Sequence, residues 1–348
     1  MKLHKSAVLW LALGALVWAD SSEAAVRKSG ITGGAFLKIG VGARAVALGS
    51  AYTSVPGDAT QMFWNPAGIA LPRGRSQVTY SYNQWIADLG HHAVGVTRNF
   101  GDMGTFGIGV INLSLAGIDN GGGLDRDQVP AFLDATYTGF RDTGSGSYDY
   151  SDLALQVTWA RNVTDRLALG ATGKMVQQSI DGVGASATAV DFGAIYHVGF
   201  RNARLGARIN NLGNDLTFYN IGAPLPLAFS VGAAIEVYEQ ADQVKVTLLS
   251  DATKPQDGEQ LLYSAAEVEV MEYLSLRGGY KLNYSGVQDG KVDEVTGAGF
   301  DAPRTEEGAS FGLGVHVPWS SYDVTVDYAY TQFGILDNVH RVSLLLGF

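Results

Sequence analysis

The feature that most constrains this chain is a period of two in its apolar residues, which recurs from Ser76 to the C-terminal Phe348. Along Tyr322-Asp323-Val324-Thr325-Val326-Asp327-Tyr328 the even positions are aromatic or β-branched and the odd ones are Asp or Thr. An extended chain of that kind has one apolar face and one wet face. Val342, Leu344, Leu346 and Phe348 oppose Arg341 and Ser343 in the same way, and Leu153, Leu155, Val157 and Trp159 oppose Asp152, Gln156 and Thr158. The pattern predicts strands at 76–86, 91–99, 104–115, 149–161, 167–179, 187–199, 203–211, 225–238, 243–251, 260–270, 274–282, 308–317, 321–331 and 338–348. They are fourteen in number, an even count, and most exceed the five or six residues usual in a soluble sheet.

The connections alternate too. Gly101-Asp102-Met103, Asn162–Arg166, Gly199–Asn202, Glu239–Asp242 and Pro318–Ser320 are tight turns, whereas 116–148 and 283–307 are long excursions. Short turns at one rim and long loops at the other are how outer-membrane barrels are built. The export address fits. Lys2, His4 and Lys5 precede the apolar run Ala7–Ala19, and Ser22-Glu23-Ala24 carries small residues at the −3 and −1 positions of a cleavage site. Residues 1–24 are therefore expected to be a secretory signal peptide, since the run is too short for a spanning helix.

A bilayer leaves backbone polar groups no water, so only helices and closed sheets cross it. The expected fold is thus all-β: a 14-stranded antiparallel transmembrane β-barrel over 76–348, both termini periplasmic, in the bacterial outer membrane. A soluble sandwich would also alternate, but Tyr80, Tyr82, Trp85, Trp159, Tyr196, Tyr238, Trp319, Tyr328 and Tyr330 recur near strand ends, as interfacial aromatic belts require. Composition agrees. Glycine is 45 of 348 residues, charged residues reach only 17 %, and cysteine is absent, which removes thiol nucleophiles and cysteine metal sites. A net charge of −10 offers no excess of cations for nucleic acid. No cofactor is implied.

Residues 25–75 do not alternate, and they are expected to form an N-terminal plug, or hatch, inside the periplasmic end of a barrel wide enough to need one. Gly40–Gly49 is rich in small residues and suits a short helix, and Phe63-Trp64-Asn65-Pro66-Ala67-Gly68 holds a proline-fixed turn. Arg44 and Asp58 are the only charges in 43–72. They are expected to pair within the plug or to clamp it to the wall.

The run Phe36-Leu37-Lys38-Ile39-Gly40-Val41-Gly42-Ala43-Arg44-Ala45, then Leu48-Gly49-Ser50-Ala51-Tyr52, Asp58-Ala59 and Trp64-Asn65-Pro66-Ala67-Gly68, resembles the PorV/PorQ family, which belongs with the FadL-type outer-membrane barrels. The resemblance implies a fourteen-stranded barrel with an N-terminal hatch, whose motif here comprises Gly42, Ala43, Arg44, Gly49, Asp58, Asn65, Pro66 and Ala67. It implies one of two roles. The leading one is an accessory subunit of type IX-like protein secretion, docking a large secretion subunit or secreted clients. The alternative is passive uptake of hydrophobic molecules such as fatty acids, with a hydrophobic ligand or detergent in the lumen. A last strand ending in Phe348 is similar to the signal read by the barrel-assembly machinery, and outer-membrane lipid is the expected surround.

Other candidate sites are weaker. Gly308-Ala309-Ser310-Phe311-Gly312 matches a serine-hydrolase pattern but lies inside a strand, not at a strand-to-helix elbow. Ser310 and His316 would stand about 20 Å apart along it, so the chain is not expected to be an enzyme. His91 and His92 read as loop histidines and no metal site is expected. Acidic residues cluster in the two long loops, where Asp119, Asp125, Asp127, Asp289, Asp293 and Glu294 are candidates for a docking or divalent-cation rim. Gly104, Gly107 and Gly109 mark the third strand as the place to seek a gap in the wall.

Overall fold

The computed structural model describes residues 30–70, 75–119, 147–241, 243–258, 260–282, 307–333, 336 and 338–348. Its strands are β1 (Ser76–Gln84), β2 (Gly90–Asn99), β3 (Thr105–Asp119), β4 (Ser147–Thr164), β5 (Leu167–Ile180), β6 (Val183–His197), β7 (Arg204–Gly213) and β8 (Leu216–Phe218). They continue as β9 (Ile221–Ala223), β10 (Ala228–Gln240), β11 (Val244–Pro255), β12 (Leu261–Val270), β13 (Leu274–Leu282), β14 (Glu307–Trp319), β15 (Tyr322–Phe333) and β16 (Val339–Gly347). Fourteen of them close into one barrel, and β8 and β9 form a separate small hairpin. The seam is antiparallel, with Gln77 opposite Gly347 and Gln84 opposite His340, and Ser76 and Phe348 exchange backbone hydrogen bonds of 2.8 and 2.9 Å. Closure leaves the barrel itself without a free edge strand, which a bilayer requires.

The alternation becomes inside and outside. Along β4, Leu155, Val157 and Trp159 are exposed outward while Asp152, Gln156 and Thr158 are buried inward. Outward aromatic side chains gather toward both rims. Trp159, Tyr196, Trp319, Tyr322 and Phe348 lie toward the rim that carries the C-terminus (the terminal rim), and Tyr82, Tyr280 and Phe311 toward the opposite, loop rim. Among the described residues no helix is long and apolar enough to cross a membrane.

All fourteen barrel strands lie where the periodicity places them, with some boundaries shifted. β6 begins at Val183 rather than 187, because Gly184, Ala185 and Ser186 are too small to show a hydropathy contrast. β8 and β9, three residues each, are too short to show a period. Two other readings are corrected. Trp85 does not join the outer belt: beyond the end of β1 its ring turns over the inward Arg341 guanidinium, 5.3 Å away. His91 and His92 are not loop residues; both lie in β2, His91 buried inward and His92 outward against Tyr82.

Candidate functional site in the barrel lumen

Residues 30–70 run along the inside of the barrel from the loop rim toward the terminal rim, further along the axis than the one end at which they are expected. At the loop rim Gly33 N–H donates to Pro224 C=O at 2.9 Å and Gly34 N–H to Gln178 Oε1 at 2.9 Å. Thr32 Oγ1 and Lys38 Nζ both reach Asp257 Oδ2, at 2.5 and 2.8 Å. Asp257 sits in the turn between β11 and β12. Partial burial pushes its pKa up, but the hydrogen bonds and charge of Lys38 and Thr32 outweigh that and hold it below the ordinary carboxylate value.

Below this tether, a short helix α1 (Ala43–Ala47) follows Gly42, whose φ of 87° favours glycine. Gly42 N–H donates to Ser81 Oγ and Ala43 N–H to Ser343 Oγ, both at 3.1 Å, so the unpaired amides at the start of the helix are met by the wall. The helix packs tightly because the wall opposite is glycine. A Cβ on Gly312 would lie 2.4 Å from the Ala47 methyl, and one on Gly279 would lie 2.2 Å from Gly49 N.

Arg44, on this helix, joins residues 30–70 to the wall. Its guanidinium reaches Glu267 of β12 through Nε at 3.0 Å and Nη2 at 2.9 Å, and Asp58 through Nη1 at 3.3 Å. Asp58 also accepts from Tyr52 Oη at 2.5 Å and caps the next turn through Thr60 N–H at 2.9 Å. Glu267 is shared with Arg277 at 2.6 Å, and Arg277 with Asp327 at 2.5 Å. One chain of alternating charge thus runs Asp58, Arg44, Glu267, Arg277, Asp327. The alternation of Tyr322–Tyr328 places Asp327 on the wet face, but Glu267 was not singled out. Its signal was present, as Glu267 and Glu269 alternate in step with apolar neighbours on β12.

Asn65, Pro66 and Ala67 dock into a glycine notch on β5 and β6. Asn65 Nδ2 donates to Thr53 C=O at 2.7 Å and to Ala194 C=O at 3.2 Å, while its Oδ1 accepts from Ala67 N–H at 3.1 Å. A Cβ on Gly193 would fall 1.9 Å from Asn65 Oδ1, and one on Gly170 would fall 2.5 Å from the Pro66 carbonyl carbon. The same logic corrects the wall gap expected on the third strand. Gly107 and Gly109 pair continuously with Thr97 and Gly95 of β2 and with Thr158 and Gln156 of β4. They are glycine because Met62 and Phe63 press on them: a Cβ would lie 2.4 Å from Met62 Cε at Gly107 and 2.8 Å from Met62 Sδ at Gly109. Gly104 is not in the strand at all; it closes the β2–β3 turn with φ 94°.

On the side formed by β2 to β6, the loop end of the lumen carries an apolar patch, while Asn83, His91, Arg341 and Asp152 are buried at the same end. Phe36, Leu37, Ile39 and Val41 pack against inward Ala93, Ile111, Leu113, Ala154, Val176 and Ala187. Polar space appears lower, as a cavity of about 40 Å³ bounded by Arg44, Val55, Arg204, Glu236 and Glu269. Ser310 hydrogen-bonds Thr331 at 3.3 Å, and His316 faces Glu272 and Asp323, so the two stay apart. Among the described residues no group of three or more His, Cys, Asp or Glu side chains is arranged to hold a metal ion. Asp119 ends β3, its side chain beyond description, and Asp125, Asp127, Asp289, Asp293 and Glu294 lie outside the described residues. Phe348 is exposed at the terminal rim beside Tyr322.

No family model and no curated protein matches the chain. Solved structures do. The barrel is similar to the Ralstonia pickettii toluene transporter TbuX, at 15 % identity and TM-score 0.51 over 88 % of this chain and 97 % of that one. It is similar to the Pseudomonas putida toluene transporter TodX, at 13 % identity and TM-score 0.51 over 84 % and 94 %. It is also similar to the CymD monoaromatic hydrocarbon channel, at 12 % identity and TM-score 0.51 over 88 % and 96 %. At such identities the likeness is one of fold alone. The docking role in protein export has no counterpart among these three.

Proposed function

We propose that this chain is a FadL-like passive channel of the bacterial outer membrane for hydrophobic small molecules, and that residues 25–75 are its plug. Residues 1–24 are its signal peptide, the terminal rim faces the periplasm, and Phe348 ends the strand that the assembly machinery reads. One observation carries the reading: at the mouth end an apolar patch of Ala93, Ile111, Leu113, Ala154 and Val176, along β2 to β5, is occupied by Phe36, Leu37, Ile39 and Val41 of the same chain. A water-filled pore has no use for such a lining, whereas an apolar solute gains by leaving water for it. In this reading the solute enters at the loop rim, takes the place of the plug's own apolar side chains, and passes once the Asp257 tether has let go. The PorV-like docking role would draw on the loop acids instead, and no lumenal feature supports it.

The test uses the absence of native cysteine. Thr32→Cys with Asp257→Cys places two thiols at the tether. Disulfide formation should abolish uptake of toluene or a fatty acid into barrel-containing vesicles, and reduction should restore it. Uptake unaffected by the cross-link would overturn the reading.

A further inference from the structure

Three inward side chains on neighbouring strands stand in one row: Arg341 of β16 is opposite Asn83 of β1, and Asn83 is opposite His91 of β2. Their exposures are 2 %, 0 % and 0 %. Arg341 Nη1 donates to Thr331 Oγ1 at 3.0 Å, but its Nε has no acceptor, and both amide atoms of Asn83 and both ring nitrogens of His91 have no hydrogen-bond partner. No carboxylate among the described residues forms an ion pair with Arg341. In the same lumen Arg44, Lys174 and Arg277 each hold one, at 2.9, 2.6 and 2.5 Å.

The row is closed on its loop side by Trp85, which lies 5.3 Å over the guanidinium and meets Phe333 edge-on at 5.3 Å. On its other side are Ser81 and Ser343, which hold the backbone amides of Gly42 and Ala43. Among the described residues, the chain thus places unpartnered N–H groups beside a buried cation and no carboxylate paired with it. A buried guanidinium without a counter-charge is costly, and a bound anion would offset that cost beyond what Thr331 and the Trp85 ring supply. Water satisfies hydrogen bonds but does not neutralise the charge.

We propose that the Arg341–Asn83–His91 row binds one small monovalent anion of halide size. The donors are the guanidinium Nε–H, the Asn83 amide and the N–H of a neutral His91. Complete burial sets the size, because a chain-bearing carboxylate or a phosphate does not fit behind Trp85 and the plug. The bound anion would fasten β16, β1 and β2 to the segment at Gly42 and Ala43. This site is independent of what passes through the barrel.

Bromide tests it, because it both quenches indole fluorescence and scatters anomalously. In the full-length barrel, bromide should quench Trp85 along a saturating curve that chloride displaces and gluconate does not. The saturating component should vanish in Trp85→Phe and in Arg341→Met. Quenching that rises linearly and is identical in wild type and Arg341→Met would overturn the proposal, and competition by gluconate equal to chloride would overturn the size assignment. Should Arg341→Met not fold, bromide-soaked crystals of the wild type decide: an anomalous peak in contact with Arg341 Nε supports the site, and its absence there refutes it.

Discussion

Arg44 and Gly193 show how single residues hold the segment 30–70 against the wall, one by charge and one by having no side chain. Arg44 sits between Asp58 and Glu267, both largely buried, so its removal leaves two carboxylates without their shared counter-charge. Arg44→Ala should cost about 3–5 kcal/mol, the range for breaking a buried pair from one side. Urea unfolding of the barrel in vesicles measures this, and Arg44→Met combined with Glu267→Leu should recover part of the loss. Gly193→Ala acts by volume, since the new methyl would occupy the place of Asn65 Oδ1. It should cost about 1–3 kcal/mol, as overpacking does, and speed proteolysis within residues 30–70 while the strands stay protected. That Arg44 and Asp58 would meet was readable in the sequence, because they are the only charges in 43–72. That Gly193 is the partner of Asn65 was not, because 128 residues separate the two and a lone glycine in a strand carries no address.

At the scale of elements, the rim tether answers to pH. The Asp257 carboxyl is held below its unfolded value by Lys38 and Thr32. Its contribution is therefore complete above about pH 4, the unfolded value, and is lost as pH falls through the lower folded value. Hydrogen exchange of residues 31–38 should quicken below that pH while exchange in β11 and β12 does not, and Asp257→Asn should show the faster exchange already at neutral pH. The strands owe their positions to period-two patterning that survives in any context, so β4 and β15 were legible at once. β8, β9 and the first turn of β6 were not, since a period needs length and contrast to be seen. The glycines of β3 were misread for a related reason: a glycine vacates space, and only the neighbour that fills it, here Met62, tells whether the strand is weak or packed.

For the whole molecule, the outward face meets hydrocarbon and the inward face meets residues 30–70. Val157, 58 % exposed on the outer wall, should tolerate no charge: Val157→Arg should destabilise the lipid-embedded barrel by about 2–4 kcal/mol, near the bilayer midplane value. Refolding equilibria in vesicles measure it, and a neutral result would argue that this face does not touch lipid. The sequence by itself determined the strand number, the two-faced wall and the distinct character of residues 30–70, because these depend on local periodicity alone. Only the tertiary structure decided that Phe36 to Val41 lie against an apolar patch of the lumen, that Glu267 receives Arg44, and that Arg341 is buried with no ion-pair partner among the described residues. Closure brings strands from both ends of the chain into contact, and which inward side chains then share a row depends on register around the whole circumference, a quantity that no stretch of sequence contains.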